Sequence, residues 1–178
     1  MTITPEIRQQ VRQRANFACE FCGVAEVDTG GELTIDHYQP QTKGGGDELD
    51  NLIYSCARCN QYKSDYWPST EKDLILWHPR EEATIPHFLE LEDGRLHPLT
   101  AIGTFTIKRL RLNRPPLISY RLRKKQRAEE LRLLTRYGEL VDLLEGLNRQ
   151  MSNLMEEQQA LLREQRELLN LILGHRRQ

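Results

Sequence analysis

Apolar positions change their spacing several times along this chain, and each change marks a new element. Thr4-Pro5 opens a first helix, with Thr4 as N-cap and Pro5 at the first helical position, where its missing N–H costs nothing. Ile7 and Val11, four residues apart, give it one apolar face as far as about Ala15. The pattern then shortens. Leu33-Thr34-Ile35 predicts a short strand that delivers Asp36-His37 at its end, and Asn51-Leu52-Ile53-Tyr54-Ser55 predicts the returning strand. Residues 40–50 between them hold a proline, three glycines and polar side chains, which is loop chemistry. A short helix follows over about 57–66 and stops at Trp67-Pro68, because the residue before proline is pushed out of the helical region. Strand, loop, strand and helix make a ββα unit.

Downstream, His87-Phe88-Leu89-Glu90-Leu91 and Leu96-His97-Pro98-Leu99 flank the turn signal Asp93-Gly94, predicting a small β extension. Trp77, Phe88 and Leu91 are expected to cover the ββα unit from one side. A helix through Lys108-Arg109-Leu110 ends near Asn113-Arg114-Pro115-Pro116, a breaker and a candidate hinge. From about Leu117 the pattern is helical and long. Leucine fills one heptad position at Leu140, Leu147, Leu154, Leu161 and Leu168, with Leu144, Met151, Gln158, Gln165 and Ile172 four residues after each. Val141, Met155, Leu162 and Leu169 widen the stripe. This is a coiled-coil pattern. It is too long for a small domain to cover, so a homo-oligomer or a partner helix is expected on it. The chain thus divides into residues 1–68, 69–116 and 117–178.

Composition narrows the setting. In 178 residues with 38% apolar content, no run approaches the roughly 20 apolar residues of a membrane span. The N-terminal segment lacks a secretory pattern, so a cytoplasmic protein is expected, with no membrane partner. A net charge of −1 conceals a basic run from Arg95 through Lys108, Arg109, Arg111, Arg114, Arg121, Arg123, Lys124 and Lys125 to Arg127, with no acidic residue inside it. Such a block points to a phosphate-facing surface, with Lys108, Arg109, Arg111 and Arg114 as candidate nucleic-acid contacts.

All four cysteines fall in two pairs, Cys19-x-x-Cys22 and Cys56-x-x-Cys59. A reducing compartment disfavours disulfides, whereas two such knuckles close a tetrahedral four-sulfur zinc site. With every position held by sulfur, that zinc is structural. It would pin both ends of the loop-rich segment and gather Asp36, His37, Asn51 and Asn60. His78, His87 and His97 lack ligand spacing and read as surface or interdomain side chains.

Asp36-His37, Pro40, Gly45, Asn51-Leu52, Cys56-x-x-Cys59-Asn60 and Lys63, preceded by the first knuckle, together resemble the HNH endonuclease family over about residues 15–66. The resemblance implies an α+β protein: a zinc-stapled ββα-metal module, followed here by the β extension and the long coiled-coil helix. It assigns His37 as general base and Asp36 and Asn60 as ligands of one catalytic ion. Asparagine where many relatives carry histidine makes an all-oxygen donor set, which favours Mg²⁺ or Mn²⁺. Asn51 corresponds to the residue that holds the base-carrying loop. Lys63 matches a basic family position and, with Arg58, is a candidate phosphate contact; Asp47, Glu48 and Asp50 are rival carboxylates to Asn60. The implied substrate is DNA, and bacterial relatives act in mobile elements, phage packaging, restriction and antiphage defence. A noncatalytic zinc-knuckle DNA-binding scaffold, assembled through its coil, is the alternative. An RNA-cutting toxin is the third reading.

Overall fold

A computed structural model of the chain describes residues 3–81 and 86–175, with side chains to residue 170. Helix α1 (Pro5–Arg14) starts where the cap pattern places it: Thr4 Oγ1 accepts a hydrogen bond from the Ile7 N–H at 3.3 Å. Val11 is fully buried and Ile7 packs beside it. A short helix α2 (Glu26–Thr29) precedes strands β1 (Thr34–His37) and β2 (Leu52–Ser55). These pair antiparallel, with Asp36 opposite Ile53 and His37 opposite Leu52. All four residues of β2 are buried, which explains its unbroken apolar run. Helix α3 (Ala57–Lys63) completes the ββα unit.

The element ends differ from the sequence expectation in two places. Asn51 belongs to a 3-10 turn over Leu49–Asn51, because its side chain is bonded into the preceding loop. Helix α3 stops at Lys63, where Ser64 adopts φ +54° and turns the chain away.

The core joins Val11, Leu33, β2, Leu76, Leu110, Leu112 and Leu117 to the four cysteines. Glu26 ties α2 to α1 and β2. It accepts two 2.7 Å hydrogen bonds from Arg12 and one from the Tyr54 hydroxyl. The Arg12 bonds hold the Glu26 carboxyl below its ordinary range, while burial and then Glu26 push the Tyr54 hydroxyl up to about 12.

Strands β3 (Phe88–Glu90) and β4 (Leu96–Pro98) form the expected hairpin, and α4 (Ala101–Arg109) follows. Trp77 meets the Phe88 ring edge-on at 5.2 Å and packs against the core. Leu91 does not join them and stays 38% exposed. Two histidines that read as surface or interdomain groups are buried, which excludes the surface placement. His78 packs against the Tyr38 ring and accepts from the Glu81 N–H, and His87 bonds the Thr100 hydroxyl at 2.6 Å. The candidate hinge is also corrected. Leu110, Leu112 and Leu117 are in the core, and the Asn113 amide bonds both the N–H and the carbonyl of Leu96 at 2.8 Å, so the breaker is pinned.

Helix α5 (Pro115–His175) begins at the two prolines. The chain forms two compact units, Met1–Lys125 and Gln126–Gln178, and the sequence boundaries at 68 and 116 both fall inside the first. In the second unit the five heptad leucines are each at least half exposed. The side chain of Ile172 lies outside the described residues. Among the described residues, no helix is long and apolar enough to cross a membrane.

Candidate metal centre and active site

The first knuckle is a tight turn: the Gly23 N–H donates to the Cys19 carbonyl at 2.7 Å, and the Cys19 N–H to the Val24 carbonyl at 2.9 Å. Gly23 sits at φ +74°, which glycine adopts without penalty. Cys56 caps α3, its sulfur accepting from the Cys59 N–H at 3.5 Å. The four buried Sγ atoms lie within 4.8 Å of one another. Cys22 and Cys56 are 3.7 Å apart, against an edge of about 3.8 Å for a tetrahedron of ~2.3 Å Zn–S bonds. Spacing, burial and an all-sulfur donor set therefore fit a closed zinc site. Among the described residues this is the cluster of three or more Cys, His, Asp or Glu side chains close enough to share an ion.

Crowding of the four sulfurs drives their protons onto a subset. Bonds to Cys19 first hold Cys56 far below an ordinary thiol and push Cys22 and Cys59 far above one. A divalent cation relieves that competition by replacing the protons. Arg114 stands beside the cluster, 3.8 Å from Cys59 Sγ and 4.0 Å from Cys56 Sγ. Burial opposes its charge, but the thiolates outweigh that, Cys59 first, and its pKa is raised. The basic run points Arg114 toward nucleic acid; the structure turns it onto the sulfurs.

Asp36 and His37 are neighbours at the end of β1. Helix α3 covers the Thr34 and Asp36 face. Asn60 Nδ2 donates to Thr34 Oγ1 at 3.3 Å, and one turn later Lys63 Nζ lies 3.2 Å from Asp36 Oδ2 and donates to the His37 carbonyl at 2.7 Å. Asp36 and Asn60 thus border one seam. Asp36 Oδ2 is buried, and no donor meets it with hydrogen-bond geometry, Lys63 standing at ion-pair distance off the bond line. A carboxylate oxygen with unused acceptor capacity suits a hard divalent cation. Burial raises the Asp36 pKa and lowers that of Lys63, each opposed by the other's charge. Lys63 is fully buried, so it reaches no phosphate. It neutralises Asp36 and holds the backbone of His37 instead.

His37 Nε2 lies 2.7 Å from Asp47 Oδ1, which also accepts from Gln41 Nε2 at 2.9 Å. Asn51 staples the loop. Its Oδ1 accepts from the Gln39 N–H at 2.8 Å, and its Nδ2 donates to the carbonyls of Gln39 and Gly46 at 3.1 and 2.7 Å. The loop passes so close to itself that a Cβ on Gly45 would sit 1.9 Å from the Gln39 carbonyl oxygen. Arg14 and Arg80 clamp the turn that carries Asn51, each donating to the carbonyls of Leu49 and Leu52. Glu20 lies between the two guanidiniums and accepts from the Tyr54 N–H.

Residues 19–66 match the HNH endonuclease family. The match points to a nuclease or DNA-binding role for this stretch. It spans both knuckles, both strands and α3, and leaves Arg14, Arg80 and Arg114 outside. No curated protein matches the chain.

Around the HNH stretch the basic run divides between two tasks. Arg121 is buried, donating to the carbonyls of Gly94 and Leu112, and Lys125 pairs with Glu90. Arg109 lies over the Tyr66 ring and donates to the Lys63 carbonyl at 3.0 Å, and Arg111 lies over Tyr62. Lys108, Arg109 and Arg111 nonetheless line a cleft of about 540 Å³ with Tyr62 and Phe105, beside the last turn of α3. Arg58 is exposed and faces a second groove of about 780 Å³ with Arg114 and Arg123. A helix turns roughly every 3.6 residues, so an uninterrupted basic sequence delivers only some of its charges outward.

Proposed function

We propose that this chain is a metal-dependent HNH endonuclease that hydrolyses DNA phosphodiester bonds. The observation that carries the reading is the β1–α3 seam. There Asp36 presents a buried carboxylate oxygen, ion-paired with Lys63 but without an in-line hydrogen-bond donor, on the strand that Asn60 bonds, one residue from His37, inside the family-matched and sulfur-clamped stretch. In this reading Asp36 and Asn60 hold Mg²⁺ or Mn²⁺, which supplies charge neutralisation at the scissile phosphate. His37 takes a proton from the attacking water; a P–O bond to water forms as the bond to the leaving sugar oxygen breaks. Asn51 keeps the loop in place, and Lys63 fixes the backbone that carries His37. The thiolate-bound zinc has no open position and takes no part in the chemistry.

Lys108, Arg109 and Arg111 offer the flanking phosphates a basic cleft, where Tyr62 in its wall holds the Arg111 guanidinium and Tyr66 holds that of Arg109. For the second unit the reading is self-association. The leucine stripe repeats in one register from Leu140 to Leu168 and is exposed along its length, so a second copy in register covers it. Sedimentation of the intact chain is expected to give a dimer or higher oligomer; a monomer at micromolar concentration removes this part of the proposal.

The noncatalytic scaffold reading accounts for the zinc, the basic cleft and the Asp36–Lys63 pair, but not for Asp36, His37 and Asn60 falling together in the family-matched stretch. Supercoiled plasmid separates the two. The zinc-loaded protein with Mg²⁺ or Mn²⁺ is expected to convert it to nicked circles while leaving a structured RNA intact. Plasmid retarded in a gel but never nicked returns the scaffold, and cut RNA with intact plasmid returns the toxin.

A further inference from the structure

Asp47 is a carboxylate that the sequence offers as a metal ligand, yet its placement serves another purpose. Its Oδ1 is 2.7 Å from His37 Nε2 and 2.9 Å from Gln41 Nε2, so that oxygen is already engaged by two side chains. It meets the His37 ring, whereas Lys63 pairs with Asp36 and Asn60 bonds Thr34. We propose that Asp47 is a positioning residue that fixes the His37 ring with its proton on Nε2, leaving Nδ1 as the atom that accepts the proton from water. The proposal rests on the nuclease reading for the role of Nδ1, but not for the geometry.

The chemistry follows from donor and acceptor roles. An ionised carboxylate only accepts, so the imidazole nitrogen facing it carries hydrogen, and in a neutral ring the other nitrogen then holds a lone pair. The bond to His37 is the leading cause that lowers the Asp47 carboxyl below its ordinary range, with Gln41 adding to it. Lys63 bonds the His37 carbonyl and pairs with Asp36, whose charge is also felt by His37, while the hydrogen bond to the ring comes from Asp47.

Asp47 is held in turn by the loop. Asn51 bonds the carbonyl of Gly46, the residue before it, at 2.7 Å, and the close pass at Gly45 leaves that path little freedom. A chain of contacts therefore runs from the Arg14 and Arg80 clamp through Asn51 and Asp47 to the imidazole. This gives Asn51 a stated effect: it sets the position of the carboxylate that orients the base.

The test uses the full zinc-loaded chain, comparing wild type, Asp47→Asn and Asp47→Ala. Nitrogen-15 spectra of the His37 ring, taken without Mg²⁺, read the tautomer; plasmid cleavage reads kcat, KM and the Mg²⁺ concentration at half-maximal rate. Wild type is expected to show a protonated Nε2 and a bare Nδ1. Asp47→Asn keeps that pattern, because an amide oxygen still accepts, whereas Asp47→Ala gives a tautomer mixture. For Asp47→Ala, kcat falls about 100-fold, the size of effect expected when a reacting group is misplaced by about 1 Å, with KM and the Mg²⁺ midpoint unchanged. An unaltered ring spectrum or an unaltered kcat in Asp47→Ala overturns the proposal. A shifted Mg²⁺ midpoint also overturns it, making Asp47 a ligand. If wild type cuts nothing while the spectra respond as stated, the orienting role stands and the nuclease reading falls.

Discussion

Replacing Cys56 by serine is expected to abolish folding of the first unit, with loss of bound zinc, aggregation on expression and no cooperative melting transition. The effect is large because this sulfur does three things at once. It is one corner of the buried four-sulfur cluster, it caps α3, and it follows directly on β2, the most buried strand. The unit it holds has little else to replace it. Strands β1 and β2 have four residues each and α3 has seven. Structural zinc supplies on the order of 10–16 kcal/mol of apparent binding energy in small domains, more than the whole stability of most of them. Serine offers a harder oxygen that remains protonated near neutrality, and it leaves Arg114 facing a site that has lost a thiolate. Circular dichroism with zinc quantification checks this. A folded Cys56→Ser protein that melts like wild type would sink the structural-zinc argument.

His37→Ala has the opposite signature. The ring is 18% exposed, is held by Asp47 and lies at the end of β1 rather than in the core. Its removal is therefore expected to leave zinc content, melting temperature and DNA retention near wild type. Cleavage should fall by a factor of about 10²–10⁴, the usual contribution of a positioned general base. The contrast between the two variants is the informative result: one destroys the platform and the other leaves the platform without its base. A His37→Ala protein that nicks plasmid at the wild-type rate removes this residue from the mechanism.

The local parts of this architecture are legible in the order of residues alone. Two knuckles, a strand ending in Asp36-His37 and a short helix after the second knuckle are set by neighbours within a few residues, and they appear where the pattern puts them. The family resemblance of residues 19–66 is equally visible, because its motif is a sequence of spaced polar residues. What stays hidden depends on which groups meet across the fold. Lysine is seldom buried, so nothing in its sequence position marks Lys63 as the internal partner of Asp36 and the His37 carbonyl. Arg114 looks like its basic neighbours until the start of α5 brings it to the cysteines. Arg14 and Arg80 carry no motif at all, yet both reach the carbonyls around Asn51. Asp47 reads as one more carboxylate for a cation, and its meeting with His37 is hidden, since the path of the loop is set by Asn51 and by the tight pass at Gly45.

In the proposed nuclease two metals divide the labour, sulfur-bound zinc for shape and an oxygen-bound ion for chemistry. Plasmid nicking by intact protein dialysed against EDTA, with zinc measured in the same sample and Mg²⁺ then added back, separates the two. The expected result is one zinc retained per chain, no nicking in EDTA, and full recovery with Mg²⁺ alone. Nicking that persists in EDTA, or that returns only with added zinc, contradicts it.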